Sequence, residues 1–72
     1  MIAYPVLIFW SDEDGEYVAK VPDLEGCTAT GESIEEAAHE IQIAIDLWLD
    51  AARDNGYPIP VPSRHPTLAK AS

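Results

Sequence analysis

Residues Cys27-Thr28-Ala29-Thr30-Gly31-Glu32-Ser33-Ile34-Glu35-Glu36-Ala37 hold the switch on which the fold turns. Cys27 to Thr30 suits a short strand that Gly31 ends. Ser33 and Glu36 then carry the spacing of a capping box. In it the Ser33 hydroxyl accepts from the Glu36 amide, and the Glu36 side chain can return the bond. The spacing predicts a helix from Ile34 to about Asp54, stopped at Asn55-Gly56 and barred from continuing by Pro58. At about 100° per residue, one stripe collects Ile34, Ala37, Ala38, Ile41, Ala44, Ile45, Trp48, Leu49 and Ala52. The opposite face holds His39, Glu40, Asp46, Asp50 and Asp54. Ile43 and Leu47 fall among those polar residues, one turn apart, where a helix serving only a core does not need them.

Outward from the switch, Met1–Trp10 is rich in strand formers on both parities: Ile2, Tyr4, Val6, Ile8 and Trp10 on one face, Ala3, Leu7 and Phe9 on the other. Such a strand is expected to be covered on both faces. Pro5 cannot donate to a ladder, so the strand has a free side or a beginning near it. Ser11-Asp12-Glu13-Asp14-Gly15 reads as a hairpin turn. Glu16–Val21 alternates as a half-buried strand, and Pro22-Asp23-Leu24-Glu25-Gly26 breaks it. After the helix, the prolines of Tyr57-Pro58-Ile59-Pro60-Val61-Pro62 force an extended path that suits a short edge strand, with Ile59 and Val61 donating. The class is therefore α+β: a three-stranded antiparallel meander, one long helix packed on it, and a short fourth strand.

At 72 residues the chain is one small domain, too short for a two-domain enzyme, a dinucleotide-binding fold or a β/α barrel. Its 4 Lys+Arg against 13 Asp+Glu give a net charge of −9, which disfavours nucleic acid and favours a basic protein partner. The 47% apolar content is too high for a disordered acidic tail. A core this small is often reinforced by a disulfide, a metal or association. Cys27 is alone, and Cys27, His39 and His65 match no zinc spacing, so association is expected. No basic segment precedes an apolar stretch at the start, and the longest apolar run, Val6–Trp10, is far too short to span a bilayer. The expected location is the cytoplasm, with Cys27 reduced and no membrane contact.

Asp14-Gly15-Glu16-Tyr17, Val21-Pro22-Asp23-Leu24-Glu25-Gly26-Cys27, Thr30-Gly31-Glu32-Ser33-Ile34-Glu35-Glu36-Ala37 and Gly56-Tyr57-Pro58-Ile59-Pro60-Val61-Pro62 together resemble the HicB antitoxin family in order and spacing. Glu25 stands where that family often has Pro. The resemblance implies a partial RNase H-like fold, with a fourth strand parallel to the first. It implies an antitoxin whose partner is a HicA-like toxin, a small basic mRNA endonuclease. The HicB-like domain is expected at 1–62, and 63–72, which has little periodicity, is expected to be a loose tail. Many HicB proteins add a DNA-binding domain, which is not expected here, so this chain alone is not expected to bind DNA.

Each candidate residue has a sharper and a plainer reading. Asp12, Glu13 and Asp14 are consecutive on a turn, whereas two-metal nucleases need carboxylates converging from several elements. A solvated turn is the better reading, and no metal or cofactor is expected. Asp23 could be a catalytic acid, yet a turn-shaping carboxylate suits its place better. Gly26 and Gly31 are expected to supply backbone angles denied to other residues. Cys27 has no evident His base and reads as a buried thiol, His39 as a solvated histidine, and Trp10 and Trp48 as core or interface anchors. The chain thus reads as a non-enzymatic binding module. Asp12, Glu13, Asp14 and Glu16 of the hairpin, with Asp46 and Asp50 of the helix, are the expected electrostatic contributors to toxin binding. Ile43 and Leu47, or the open sheet face, are the expected contact of a homodimer or homotetramer. A solitary oligomeric domain without a toxin is the alternative from another class.

Overall fold

The computed structural model describes residues 4–63. Three strands, β1 (Leu7–Ser11), β2 (Glu16–Lys20) and β3 (Thr28–Gly31), form an antiparallel sheet in the order β1-β2-β3, followed by one helix, α1 (Ile34–Asn55). Ile8 pairs with Ala19 and Ala19 with Ala29, while Phe9 pairs with Val18 and Val18 with Thr30. Since strand side chains alternate between faces, Ile8, Tyr17, Ala19 and Ala29 face α1, and Leu7, Phe9, Val18, Lys20, Thr28 and Thr30 form the outer face.

Local chemistry explains the joints. Gly15 adopts φ 67°, and its amide donates to the Ser11 carbonyl at 2.8 Å, closing the β1–β2 turn. In the β2–β3 loop, the Leu24 amide donates to Val21 and the Cys27 amide to Leu24, each at 3.0 Å, which turns the wholly buried Leu24 inward as a plug. The Ser33 hydroxyl accepts from the Glu36 amide at 3.0 Å as expected. The Glu36 carboxylate accepts from the Glu32 amide, one residue before the expected return partner. At the other end Tyr57 donates to the Ala52 carbonyl and Gly56 to that of Arg53, the paired bonds of a Schellman stop.

Gly31 departs from the expectation. Its backbone is not left-handed; a methyl group there would lie 2.5 Å from the Ala37 amide nitrogen. The glycine is required by the close approach of β3 to the first turn of α1. With Ala19 and Ala29 beneath the helix, this lets Ala37, Ile41, Ile45, Leu49 and Ala52 sink into the core beside Val21, Leu24, Cys27 and Tyr4. Burial of side chains such as Ile41 and Leu24 contributes roughly 1.5–3 kcal/mol each.

The first strand begins at Leu7, just after Pro5, as one of the two readings of that proline had it; residues 4–6 precede it without strand pairing among the described residues, and Met1–Ala3 lie outside them. Two further expectations change. The first strand is not covered on both sides within one chain: Leu7 is 54% exposed and Phe9 38%. Residues 57–63 form no strand among the described residues. Pro58, Pro60 and Pro62 lack amide donors, and side-chain bonds hold the segment instead. The Tyr4 hydroxyl donates to the Pro60 carbonyl at 2.6 Å, and Ser63 donates to Asp23 from its amide at 2.7 Å and its hydroxyl at 2.6 Å. Ser63 is therefore tied down, while the rest of the expected tail, 64–72, lies outside the described residues.

Candidate functional site

All 13 acids of the chain lie between Asp12 and Asp54, and the cations of the described residues are Lys20 and Arg53. The structure sorts the candidate carboxylates into two places. Asp12, Glu13 and Asp14 occupy the β1–β2 turn, with Glu16 opposite Ser11 at the start of β2. Because β3 runs antiparallel to β2 and leads into α1, this turn lies at the end of the sheet where α1 begins. Asp46 and Asp50 sit about 18 and 24 Å further along the helix axis from Ile34, at 1.5 Å per residue. The six acids do not converge on one centre.

Their local roles differ as well. The Trp10 indole donates to Asp12 at 2.9 Å, and the Ser11 hydroxyl donates to Asp14 at 3.2 Å. Two of the three turn acids are thus engaged in shaping their own loop. On α1 Asp50 accepts from Arg53 at 2.9 Å, an exposed pair worth little on its own. Among the described residues no cation pairs with Asp46, Glu40 or Asp54. Beside them Ile43 is 44% exposed and Leu47 64%. The helix therefore carries bare apolar side chains with no bonding partner inside an acidic surround, whereas in the hairpin the 50% exposed Trp10 is held by Asp12 and by the Tyr17 ring.

The remaining candidates take plainer roles. Cys27 is buried, and loss of solvent pushes its thiol above the ordinary range, away from the nucleophilic thiolate. His39 is exposed on α1. Among the described residues no three His, Cys, Asp or Glu side chains group so as to hold a metal ion. Trp48 anchors α1 to the β2–β3 loop, its indole donating to the Glu25 carbonyl at 2.9 Å. Asp23 departs from its expected role: among the described residues its carboxylate bonds to Ser63 and to no amide of its own turn. The hydrogen bond from the Ser63 hydroxyl, then that from its amide, hold the Asp23 carboxyl below its ordinary value against a slight opposing effect of burial. Nothing local could reveal a clasp between residues 40 positions apart. A groove of about 370 Å³ opens between Leu7, Lys20 and the loop from Val21 to Thr28, without convergent acid–base chemistry. No helix among the described residues is long and apolar enough to cross a membrane.

Comparison with known proteins gives this arrangement a family. The family model described as the HicB-like antitoxin of bacterial toxin–antitoxin systems matches residues 4–72. A UPF0150 protein of Synechocystis is 42% identical over 57 residues, covering 79% of this chain and 77% of that protein. A UPF0150 protein of Archaeoglobus fulgidus is 38% identical over 48 residues, covering 67% and 70%, and one of Thermoplasma acidophilum is 37% identical over 54 residues, covering 75% and 78%. No solved structure matches the chain. A meander, a capped helix and an acidic surface thus come together in a chain that belongs to the HicB-like antitoxin family of bacterial toxin–antitoxin systems.

Proposed function

We propose that this chain acts as an antitoxin in the cytoplasm by binding and masking a small basic HicA-like toxin that cleaves mRNA. The observation that carries the reading is the concentration of acids on a family member's surface, −9 in net charge, with exposed apolar side chains among those on α1. An RNA-cleaving protein must keep cationic side chains free for phosphates, and an acidic domain laid over them blocks substrate and competes for the same charges. The role is one of occlusion, with no catalytic step by this chain. In the same reading, the extended segment 57–63, held by Tyr4 and Asp23, takes the place that a fourth strand fills in a partial RNase H-like topology. The hairpin acids Asp12, Glu13, Asp14 and Glu16 add long-range attraction, and Asp46 and Asp50 lie at the contact.

The solitary alternative draws on a different observation. The outer sheet face exposes Leu7 and Phe9 with one cation, Lys20, whose ammonium lies 5.8 Å from the Phe9 ring centre. That surface suits association into a homodimer or a dimer of dimers, and the Ile43–Leu47 ridge is the other face open to it. Co-expression with a small basic protein encoded beside the gene tests the main reading. Growth should be restored, and binding should weaken with added salt, since the screening length is about 8 Å at physiological ionic strength. Unrestored growth would leave the solitary reading.

A further inference from the structure

The outer face of α1 and the outer face of the sheet each expose apolar side chains, but their charges separate them. Around the helix, Glu36, Glu40, Asp46, Asp50 and Asp54 all fall within about 60° of Ile43 at 100° per residue, and Leu47 lies in the same sector. Asp50 has Arg53 as a neighbour, and among the described residues no cation pairs with the other four. A two-fold contact sets one patch against its own copy. A second copy laid on this ridge would oppose five carboxylates with five more while removing water from between them. The sheet face exposes Leu7 and Phe9 among threonines, with Lys20 balanced by Glu16, and meets no such repulsion in a copy of itself.

We infer that the Ile43–Leu47 ridge of α1 is the docking site for a basic protein, whose apolar pocket receives these two side chains and whose lysine or arginine rim meets Glu40, Asp46, Asp50 and Asp54. The inference rests on the antitoxin reading for the partner's function but not for the surface. It assigns the ridge to a different protein and leaves self-association to the sheet. Ile43 and Leu47 supply the desolvated centre, and the carboxylates supply steering and selection against other acidic chains. Serine at both positions should weaken the partner at least ten-fold, no less than the loss expected from leaving one such side chain unburied.

The test uses the full chain in its own cells, with a photo-crosslinking phenylalanine derivative replacing Leu47 in one strain and Phe9 in another. The ridge position should capture a basic protein that the sheet position does not. Asp46→Lys with Asp50→Lys should reduce that product at least ten-fold, with helix content unchanged by circular dichroism. Capture of a second copy at the ridge, capture of an acidic protein, equal capture at both positions, or no product would each overturn the inference. Growth separates it from the antitoxin reading. A captured protein harmless when expressed alone ends that reading and leaves the surface standing. A toxic one neutralised equally well by the Ile43→Ser, Leu47→Ser chain does the reverse.

Discussion

Ile41 and Ile43 lie two residues apart on one helix with the same side chain and meet opposite surroundings. Ile41 is 1% exposed among Ala19, Leu24 and Ile45, whereas Ile43 is 44% exposed among carboxylates. Two residues are about 200° of helix, so the step carries the chain from the core to the far side. One isoleucine is explained by folding; the other, with Leu47 a turn further on, is not. The same contrast separates the two acidic regions. Asp12 and Asp14 of the hairpin serve their own turn, through Trp10 and Ser11, while most helix acids bond to nothing among the described residues.

The largest effect should come from exchanging the two isoleucines' fates. Ile41→Ala should cost about 2–5 kcal/mol of stability in urea unfolding, because it leaves a cavity under the helix. Ile43→Ala should stay within about 0.5 kcal/mol of the parent. A comparable loss at both positions would mean that the outer face is also part of the fold. Next, charge reversal should divide the acidic regions. Asp46→Lys with Asp50→Lys should weaken a basic partner roughly ten- to a hundred-fold in equilibrium titration, whereas Asp12→Lys with Glu13→Lys should act chiefly on the association rate and its salt dependence. Equal losses would merge the two regions into one interface.

The smallest effect concerns the clasp that neither acidic region supplies. Asp23 is held below its ordinary value of 3.8 by Ser63, so its contribution is present above that pH and fades as pH falls through the lowered native value. Protection of the Ser63 amide against exchange, relative to an unstructured peptide at the same pH, should therefore fall on acidification below 3.8. In Asp23→Asn that protection should already be low at neutral pH and lose its acid dependence. Retained acid dependence in the variant would assign the titration to another group.

Much of this arrangement was legible in advance, for local reasons. Ser33, Asn55 and Gly56 carry the helix ends in their own chemistry, and the stripe from Ala37 to Ala52 carries its buried face in its period. Leu47 and Ile43 stood out because they break that period. What escaped depends on pieces distant in sequence. Gly31 looked like a turn glycine until α1 lay 2.5 Å from its missing methyl group. Asp23 met Ser63 only after the chain had folded back across the sheet. The strap at 57–63 satisfied an extended pattern, but its prolines left side chains to hold it where a ladder was expected. The two-sided apolarity of β1 predicted covering on both faces, and a single chain has only one helix to give.

The most direct test of the account pairs two readouts on one variant. Ile43→Ser with Leu47→Ser should keep the parent's melting temperature, because neither side chain is in the core, and should lose at least ten-fold in affinity for the basic partner by calorimetric titration. Parental affinity in a folded variant would contradict the claim that this ridge receives the partner.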